Sequence, residues 1–396
     1  MKLWYLANAR IPTEKAHGLQ IVKMCEAFAR LGIDVELIVP FRRQSEQMRQ
    51  VGSVWDYYDV TTPFPIQRLR SPDFIPFEKF LPPRFSWLLF ALQSLIFGVM
   101  ATLKTGRAQG VYYTRDWYAL LALALMRRWH GNPIFFEAHE MHGASQKKLL
   151  CWLLRRIDGL VVITQALKAH YEAFGVAAER ILVAPDGIDE RRLTPPISKE
   201  AARAQLDLPY DNTIICYAGH LFRWKGVYTL AEAMRHLPET YLLCIVGGMV
   251  EDRQALQRCI VERQLPRIML VGHVPYQAVP QYLAAADVLA LPNSAAASIS
   301  RECTSPLKLF EYMAAQRPIV ASDLPSLREI LRDGENACLV PPDDSIALAE
   351  GVMRVMNDPA LQARLIAAAY ADVQGYTWNK RTQQIITTIE HIIHAQ

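Results

Sequence analysis

Thr213-Ile-Ile-Cys-Tyr-Ala-Gly-His-Leu-Phe-Arg-Trp-Lys-Gly226 is an apolar run that passes through a glycine into a basic loop. The run from Thr213 to Ala218 suits a strand buried on both faces, because such strands are continuously apolar. Gly219 follows at once, and a glycine at a strand end lets a ligand approach the backbone. The stretch predicts a parallel α/β sheet whose chemistry lies at the carboxyl ends of its strands.

The same pattern extends in both directions along the chain. Downstream, short apolar runs with polar ends predict more strands, at residues 241–246, 268–271, 288–291 and 318–321. Upstream, similar runs predict strands at residues 3–7, 35–40, 110–114, 133–138, 159–164 and 181–185. Helical spacing over residues 20–31, closed by Gly32, predicts a helix between the first two of these. Two prolines in Thr194-Pro-Pro-Ile-Ser198 mark a linker, so we predict two doubly wound Rossmann-like domains facing a cleft, at residues 1–193 and 194–377.

Length and composition limit the classes of protein to which the chain can belong. At 396 residues it exceeds what one hydrophobic core usually organises, which favours two domains. A net charge of +4, spread along the chain, argues against a nucleic-acid-binding protein and leaves room for anionic small molecules and membrane surfaces. The seven cysteines include no C-x-x-C pair, and residues 1–7 lack the features of a signal peptide. We therefore expect reduced cysteines in a cytoplasmic protein.

Two segments raise the question of membrane contact. Residues 87–103 carry no charge, and within an alternating strand and helix pattern they favour a buried or surface-docked helix over a membrane-spanning one. Contact of this segment with a membrane surface is the open alternative. Residues 147–156 are basic at both ends and apolar between. They favour a helix packed on the sheet with its basic ends in solvent, and the other reading is a membrane-surface helix.

The segment Ser305-Pro-Leu-Lys-Leu-Phe-Glu311 has the composition of a helix start. Ser305 suits the N-cap and Pro306 the first helical position. Lys308 then falls in the first turn, where a cation opposes the helix dipole at a cost of about 0.3–1 kcal/mol. A bound anion would reverse that sign, so the segment predicts a phosphate site. The alternative is an exposed lysine that the helix tolerates.

The loop from Gly219 to Gly226 is a second candidate for anion binding. Arg223 and Lys225 could converge on phosphate groups at the end of the preceding strand, and a basic solvated loop is the alternative. The loop lacks the G-x-x-x-x-G-K-[ST] pattern, so an ATPase is not indicated.

Titratable residues end one strand of the first half, in Phe136-Glu-Ala-His-Glu-Met-His142. A histidine at this position, His139, could stabilise or relay charge near neutral pH. The spacing is not that of a helical zinc motif, so we expect no metal. Gly18, in the loop after the first strand, could let a phosphate or an acceptor approach the backbone, and a plain turn is the alternative.

Taken in order, these motifs resemble the retaining family 4 glycosyltransferases of the GT-B fold, over nearly the whole chain. The matching motifs are Gly219-x-Leu-x-x-x-Lys225-Gly226, Val271-Gly-His-Val274, Ser305–Ala314 running into residues 318–322, and Val183-Ala-Pro-Asp-Gly-Ile-Asp189. The resemblance also implies a C-terminal helix, at about residues 378–396, that packs back onto the first domain.

The resemblance implies a donor site built from both loops. It gives the donor diphosphate to Lys225 and the helix start, the ribose hydroxyls to Glu311, and the base to backbone groups after the third strand. Gly18 would lie near the donor phosphates. The donor-binding residues implied in this way, with Arg223 as a substitute cation, are Gly18, Gly219, Arg223, Lys225, Gly272, His273, Val274, Ser305, Pro306, Leu307, Lys308, Leu309 and Glu311.

Catalysis, on the same resemblance, involves His139 near the reacting sugar, Lys225 at the diphosphate and a glutamate before the helix. Two departures bear on this expectation. His220 stands where members often have arginine, and Cys303 stands where members often carry the first glutamate of a Glu-x7-Glu pair. Either a bulge delivers Glu302 to the sugar, or the enzyme works without that carboxylate, which is the reading we favour.

The implied activity is a retaining, metal-independent hexosyl transfer from a nucleotide-diphosphate sugar, which is a co-substrate, so no cofactor is expected. The acceptor would be a glycan or a lipid-linked saccharide, and the location cytoplasmic or at the inner face of the membrane with peripheral contact. Two alternatives remain open. One is an epimerase or hydrolase of the nucleotide sugar, and the other is a sugar-nucleotide-binding module without turnover, suggested by Cys303.

Overall fold

The computed structural model describes residues 1–74, 82–142, 147–194 and 197–395. The chain forms two compact units, the first from Met1–Pro185 with Trp378–Gln396 and the second from Asp186–Thr377. The division thus precedes the boundary at 193/194 drawn from the sequence. Within the second unit, Ile188 pairs with Thr377, and the Tyr370 hydroxyl donates to the Leu193 carbonyl at 2.6 Å. Residues 195 and 196 of the predicted linker lie outside the described residues.

The first unit is built on a seven-stranded parallel sheet. Its strand order is β3-β2-β1-β4-β5-β6-β7, which is doubly wound. The strands are β1 (Lys2–Leu6), β2 (Asp34–Pro40), β3 (Ile66–Leu69), β4 (Val111–Thr114), β5 (Ile134–Ala138), β6 (Gly159–Val162) and β7 (Ile181–Val183). The central strands are buried along almost their whole length, as the continuous apolar runs predict.

Helices cover the sheet of the first unit. They are α1 (Ala16–Arg30), α2 (Glu46–Arg49), α3 (Val54–Tyr57), α4 (Pro83–Thr105), α5 (Trp117–His130), α6 (Lys147–Leu154), α7 (Gln165–Ala173) and α17 (Trp378–His394). Gly32 follows α1 with a φ of 78°, the left-handed conformation expected after a helix. In α6 the side chains of Leu150, Leu153 and Leu154 are buried, which agrees with the packed-helix reading of this basic segment.

The second unit has a six-stranded parallel sheet in the order β10-β9-β8-β11-β12-β13. Its strands are β8 (Thr213–Ala218), β9 (Tyr241–Val246), β10 (Ile268–Gly272), β11 (Val288–Leu291), β12 (Ile319–Ser322) and β13 (Cys338–Val340). Chain order runs outward from β8 to β10 and then resumes on the other side of β8. The carboxyl ends of β8 and β11 therefore form a topological switch point, where open α/β sheets bind ligands.

The helices of the second unit lie on both faces of this sheet, with a hydrophobic core on each. They are α8 (Lys199–Leu206), α9 (Val227–Ala233), α10 (Val250–Glu262), α11 (Val279–Ala285), α12 (Ser298–Glu302), α13 (Leu307–Ala314), α14 (Pro325–Arg328), α15 (Ser345–Met356) and α16 (Pro359–Val373).

Each strand that the sequence predicts is present in the structure, with ends shifted by a residue or two in several cases. The sequence missed β3 and β13, which lie at the edges of the two sheets. Edge strands are covered on fewer sides than central ones, so they need no continuous apolar run. In β3, Ile66-Gln-Arg-Leu69 keeps Arg68 exposed, and β13 is too short to show a pattern.

Candidate functional site

The loops that follow β8 and β11 contact each other at the switch point. Gly226 has a φ of 71°, and a Cβ added to it would lie 1.6 Å from the carbonyl oxygen of Pro292. The Ser294 N–H donates to the Trp224 carbonyl at 3.0 Å. Both the left-handed conformation and the close approach require glycine at position 226. The loop that carries Lys225 is therefore fixed against the end of β11.

Glycines end the neighbouring strands β8, β9 and β10. A Cβ added to Gly247 would lie 2.5 Å from the Gly219 carbonyl oxygen, and the Gly247 N–H donates to the Gly272 carbonyl at 2.6 Å. The structure thus brings Gly219 and Gly272, which the sequence singled out, to one edge of the sheet. After them, His273 is exposed and Val274 packs against the core.

The start of α13 differs from the prediction in its register. The helix begins at Leu307, and Pro306 is the N-cap residue, with φ −75° and ψ 125°. Ser305 does not cap the helix, because its hydroxyl accepts the Asp186 N–H at 3.0 Å. The predicted N-cap at Ser305 and first helical position at Pro306 are therefore wrong by one residue. Lys308 still lies in the first turn of a helix whose N-cap residue, Pro306, supplies no side-chain hydrogen bond.

Lys308 is buried, with 8% of its surface exposed. Its Nζ has no hydrogen-bond partner among the described residues, and it lies 3.6 Å from the centroid of the Tyr217 ring. A Cβ added to Gly219 would lie 3.1 Å from the same Nζ, so only glycine fits beside the ammonium without displacing it. Burial lowers the pKa of Lys308 well below its usual value, and the charge of Lys225 lowers it further. The surroundings of Lys308 in the unliganded protein therefore disfavour the charged form of its side chain.

Lys225 is a second cation in the same region. Its side chain is half-buried, with Nζ 3.8 Å from the Trp224 ring centroid. Burial lowers the pKa of Lys225 to about 7. A bound anion would favour the charged form of both lysines, which makes the pair suitable for a diphosphate.

Glu311 lies one turn along α13 from Lys308. Burial raises the pKa of its carboxyl, an effect that Arg192, a hydrogen bond from Tyr276 and Lys308 partly offset. The Arg192 guanidinium lies 4.3 Å from the centroid of the Tyr276 ring. The sequence did not single out Arg192 or Tyr276. Nothing in the sequence pointed to Arg192, and the only sign of Tyr276 was its position just after the predicted base-binding residues Gly272 to Val274.

Arg223 has different surroundings from Lys225. Its guanidinium lies 5.1 Å from the Tyr228 ring centroid on α9. It lines a surface cavity of about 520 Å³ with Tyr228, Glu232 and residues of α10. The charge of Lys225 lowers the pKa of Lys308, whereas the Arg223 guanidinium packs against the Tyr228 ring. His220, which stands in place of the family's arginine, stacks on the Phe222 ring with centroids 5.1 Å apart.

Glu302 is the last residue of α12 and is half-buried. Its carboxylate lies 3.6 Å from the Arg301 guanidinium. The Cys303 N–H donates to the Ile299 carbonyl at 3.2 Å and so continues the helical pattern. Position 302 is therefore helical and forms no bulge in the chain. A role for Glu302 at the sugar stays a prediction.

In the first unit, His139, which the sequence predicted as a catalytic residue, is hydrogen-bonded to a buried carboxylate. His139 Nε2 lies 2.6 Å from Glu137 Oε1, which also accepts from Gln20 at 2.7 Å and from Arg381 at 3.1 Å. The Tyr113 hydroxyl donates to the other carboxylate oxygen. Since an ionised carboxylate only accepts hydrogen bonds, Nε2 of His139 carries a proton and donates it to Glu137.

Glu137 is fully buried and remains ionised in this cluster. Burial raises the pKa of its carboxyl, but Arg381, His139 and Arg115 outweigh burial and hold the pKa well below its usual value. The sequence noted Glu137 as one of several titratable groups but gave it no role. Among the described residues, no group of three His, Cys, Asp or Glu side chains is placed to hold a metal ion.

Gly18 lies in the first turn of α1 and is tightly packed. A Cβ added to it would lie 2.3 Å from Thr13 Cγ2 and 2.6 Å from the Tyr58 hydroxyl oxygen. The Tyr58 hydroxyl donates to the Thr13 carbonyl at 2.9 Å. Packing by these two residues gives one reason for a glycine here, and a donor contact at Gly18 stays a prediction.

Comparison with known proteins adds to this geometry. The family model described as Glycosyltransferase Family 4 matches residues 18–192, and the one described as Glycosyl transferases group 1 matches residues 198–372. The chain belongs to the family 4 glycosyltransferases. Each of the two matches covers most of one structural unit, so the order of the two family regions follows the order of the two sheets.

Relatives with sequence similarity to this family 4 chain carry glycosyltransferase names. It is 31% identical over 236 residues to D-inositol 3-phosphate glycosyltransferase of Xylanimonas cellulosilytica, across 56% of this chain and 54% of the relative. It is 24% identical over 391 residues to a putative teichuronic acid biosynthesis glycosyltransferase of Bacillus subtilis, across 94% and 93%. The first of these alignments thus spans about half the length of the curated relative.

Solved structures share the fold of this family 4 chain. The Anabaena protein HepE, crystallised in complex with UDP, is superposed with a TM-score of 0.76 over 99% of this chain and 100% of HepE. The sequences are 18% identical, so the likeness shows the fold alone. The two Rossmann-like sheets of this chain are those of the GT-B fold, as the resemblance implied.

Proposed function

We propose that this protein transfers a sugar, with retention of anomeric configuration, from a nucleotide-diphosphate sugar to a glycan or lipid-linked acceptor. The buried ammonium of Lys308, without a hydrogen-bond partner in the described structure, carries the proposal. An unpartnered buried cation destabilises the protein unless a ligand supplies the counter-charge. A diphosphate between Lys308 and Lys225 would do so, and the proposal requires no metal and no further cofactor.

The donor would bind along the switch point of the second sheet. Its diphosphate would meet Lys225, Lys308 and the backbone N–H groups of Leu307 to Leu309, and Gly219 would let it approach. Glu311, with a raised pKa and a hydrogen bond from Tyr276, would bind the ribose hydroxyls. Gly272 to Val274 would meet the base. Ser305 and Pro306 would contribute through the backbone that leads into the helix.

Catalysis would rest on charge stabilisation of the departing diphosphate. The bond from the anomeric carbon to the diphosphate oxygen breaks as the acceptor oxygen bonds to the same face of that carbon. The acceptor's proton passes to a diphosphate oxygen. Two lysines, charged once the diphosphate is bound, and a helix start hold positive charge in a fixed position, and preorganised charge of this kind is a major source of rate acceleration.

His139 would serve at the reacting sugar in this proposal. The hydrogen bond of its Nε2 to Glu137 holds the ring in one orientation and leaves Nδ1 for a contact with the sugar. Glu137 would then act as a positioning residue. Arg223, Gly18 and Glu302 remain predicted participants, for which packing or pairing elsewhere gives an alternative role.

A thermal-shift panel of UDP-, GDP-, ADP- and dTDP-sugars tests donor binding. A ligand at about a hundred times its Kd stabilises the folded state by about 2.7 kcal/mol, which raises the Tm measurably. We expect one nucleotide series to shift the Tm and Lys225→Ala and Lys308→Ala to remove the shift. A shift that survives both substitutions would refute the assigned site.

Nucleotide release distinguishes transfer from its alternatives. With the donor found in the panel, a transferase releases nucleotide when an acceptor is added, and the released nucleotide matches the glycosylated product in amount. Release without any acceptor would instead indicate a hydrolase, and donor epimerisation would indicate an epimerase. Tight binding without product from any glycan or lipid-linked acceptor would indicate a binding module.

A further inference from the structure

Helix α4 in the first unit exposes a long apolar face and buries polar side chains beside apolar ones such as Phe97. The polar side chains of Gln93, Ser94 and Thr102 are fully buried. Gln93 accepts the Phe74 N–H at 2.7 Å, and Asn8 donates to Ser94 at 2.5 Å. A soluble protein normally buries the apolar face of such a helix and exposes the polar one. The outward face of α4 must therefore be explained separately.

That outward face is an apolar stripe. Its members recur at three- and four-residue spacing along the whole helix, and several have about half of their surface exposed, Leu88 for example 55%. The stripe consists of Phe85, Leu88, Leu92, Ile96, Val99 and Leu103. Single exposed apolar residues are common on proteins, but a continuous row of them marks an interaction surface.

Basic residues border the stripe at the C-terminal end of α4. Lys104 and Arg107 are exposed there. The neighbouring helix α5, which meets α4 where Gly98 faces Ala122, exposes Leu125 and Arg128 near the same end. An apolar face bordered by lysine and arginine is the composition of a helix that rests on an anionic lipid surface.

We propose that the α4 stripe docks this protein onto an anionic membrane, with the helix lying in the interface. The helix from Phe85 to Thr105 is long and apolar enough to span a bilayer by length and composition, and a third of its most apolar window is buried in the protein. Spanning would break the buried hydrogen bonds of Gln93 and Ser94. Those bonds hold the helix on the first unit and leave only the stripe to enter the lipid. This inference does not depend on the transfer reaction.

Vesicle flotation of the full chain tests the docking surface. Wild-type protein should bind vesicles of phosphatidylglycerol and phosphatidylcholine more tightly than vesicles of phosphatidylcholine alone. Leu88→Gln with Leu92→Gln should lower the vesicle partition coefficient at least about tenfold, because each leucine loses its transfer into lipid. Lys104→Glu with Arg107→Glu should lower binding about tenfold on the anionic vesicles only.

Matched variants control for general effects of polarity and charge. Val261→Gln with Ile346→Gln removes two exposed apolar side chains from the second unit and should leave binding unchanged. Lys147→Glu with Lys148→Glu makes the same change in net charge on α6, whose Leu150, Leu153 and Leu154 are buried, and should have the smaller effect. Equal losses in the controls, or no vesicle binding by the wild type, would overturn the proposal.

Sedimentation distinguishes lipid from a second copy of the chain as the occupant of the stripe. A wild-type dimer that Leu88→Gln with Leu92→Gln converts to a monomer, without a change in vesicle binding, would overturn the proposal in favour of self-association. The same α4 variants should keep the nucleotide-induced Tm shift. A failure of membrane docking is thereby separate from a failure of the proposed donor site.

Discussion

Arg381 in the first unit and Lys308 in the second are both buried cations, and they differ in what surrounds them. Arg381 donates to the Glu137 carboxylate at 3.1 Å and to the carbonyls of Ala184 and Pro185. Lys308 Nζ has the face of Tyr217 and no hydrogen-bond partner in the described structure. Buried charges in native proteins are nearly always paired. The paired cation therefore belongs to the fold, whereas the unpaired one indicates a ligand.

This comparison also separates two kinds of buried carboxylate. Glu137 is held ionised, because Arg381 and His139 outweigh burial. Glu311 has a raised pKa, because Arg192, Tyr276 and Lys308 only partly offset burial. A carboxylate whose hydrogen bonds are complete fixes its neighbours in place. One that is incompletely compensated can gain from a hydroxyl donor, such as a ribose.

Breaking the paired cluster should have the largest effect on stability. Arg381→Met leaves the buried Glu137 without its strongest counter-charge and should lower the free energy of unfolding by about 3–5 kcal/mol. Urea unfolding measures the loss. The matched control is Arg328→Met, which removes an arginine from an exposed pair with Asp323 and should cost about 0.2–1 kcal/mol. A loss for Arg381→Met no larger than the control would contradict the structural role of the cluster.

In contrast to Arg381→Met, Lys308→Met should weaken donor binding without lowering the stability of the protein. It removes an amino group that the apo protein buries without a hydrogen-bond partner in the described structure, so the free energy of unfolding should stay the same or rise by about 1 kcal/mol. Affinity for the donor nucleotide should fall by about 2–4 kcal/mol, roughly 30- to 1,000-fold in Kd. Urea unfolding and calorimetry measure the two quantities on one sample.

Lys199→Met is the control for this second substitution. Lys199 lies in the same unit and pairs with Asp287 at 2.8 Å, but its side chain is 38% exposed. The Lys199→Met substitution should leave nucleotide affinity unchanged. A strong loss of stability in Lys308→Met without a loss of affinity would show that the ammonium is part of the fold after all.

The central strands were predictable from sequence because burial on both faces demands continuous apolar runs. The strand ends were also informative, since Gly219 and Lys225 stand where a parallel sheet binds ligands. The edge strand β3 was not predictable, because Arg68 is free to face solvent there. The start of α13 was misplaced because Ser305 bonds to Asp186, a contact between residues far apart in the chain.

The pairing of buried charges could not be predicted from the sequence either, because the partners are far apart in the chain. Glu137 and Arg381 are 244 residues apart, and nothing near either residue indicates the other. A carboxylate at a strand end has the same local sequence whether it binds a substrate or an arginine. Likewise, Arg192 reaches Glu311 only through the fold of the second unit. Motif spacing could propose the site, but only the structure could sort paired charges from unpaired ones.

Proton uptake gives the finest test of the comparison. The pKa of Lys225 is lowered to about 7 by burial, so at pH 8 the unliganded protein holds this lysine mostly neutral. A bound diphosphate restores the charged form, so nucleotide binding at pH 8 should take up about one proton through Lys225. Calorimetry in buffers of different ionisation enthalpy measures that number. Arginine does not titrate in this range, so Arg381 should contribute none.

The sign of the effect on stability follows from the same shift. Because the folded-state pKa of Lys225 lies below the unfolded one, the unfolded chain binds more protons between about pH 7 and pH 10. Through Lys225, the free energy of unfolding of the apo protein should therefore increase as the pH rises through this window. Nucleotide affinity should decrease over the same window. Lys225→Met should flatten both trends and reduce the proton uptake at pH 8 by about one. Equal uptake in wild type and Lys225→Met would place this lysine in a solvated loop, away from the diphosphate.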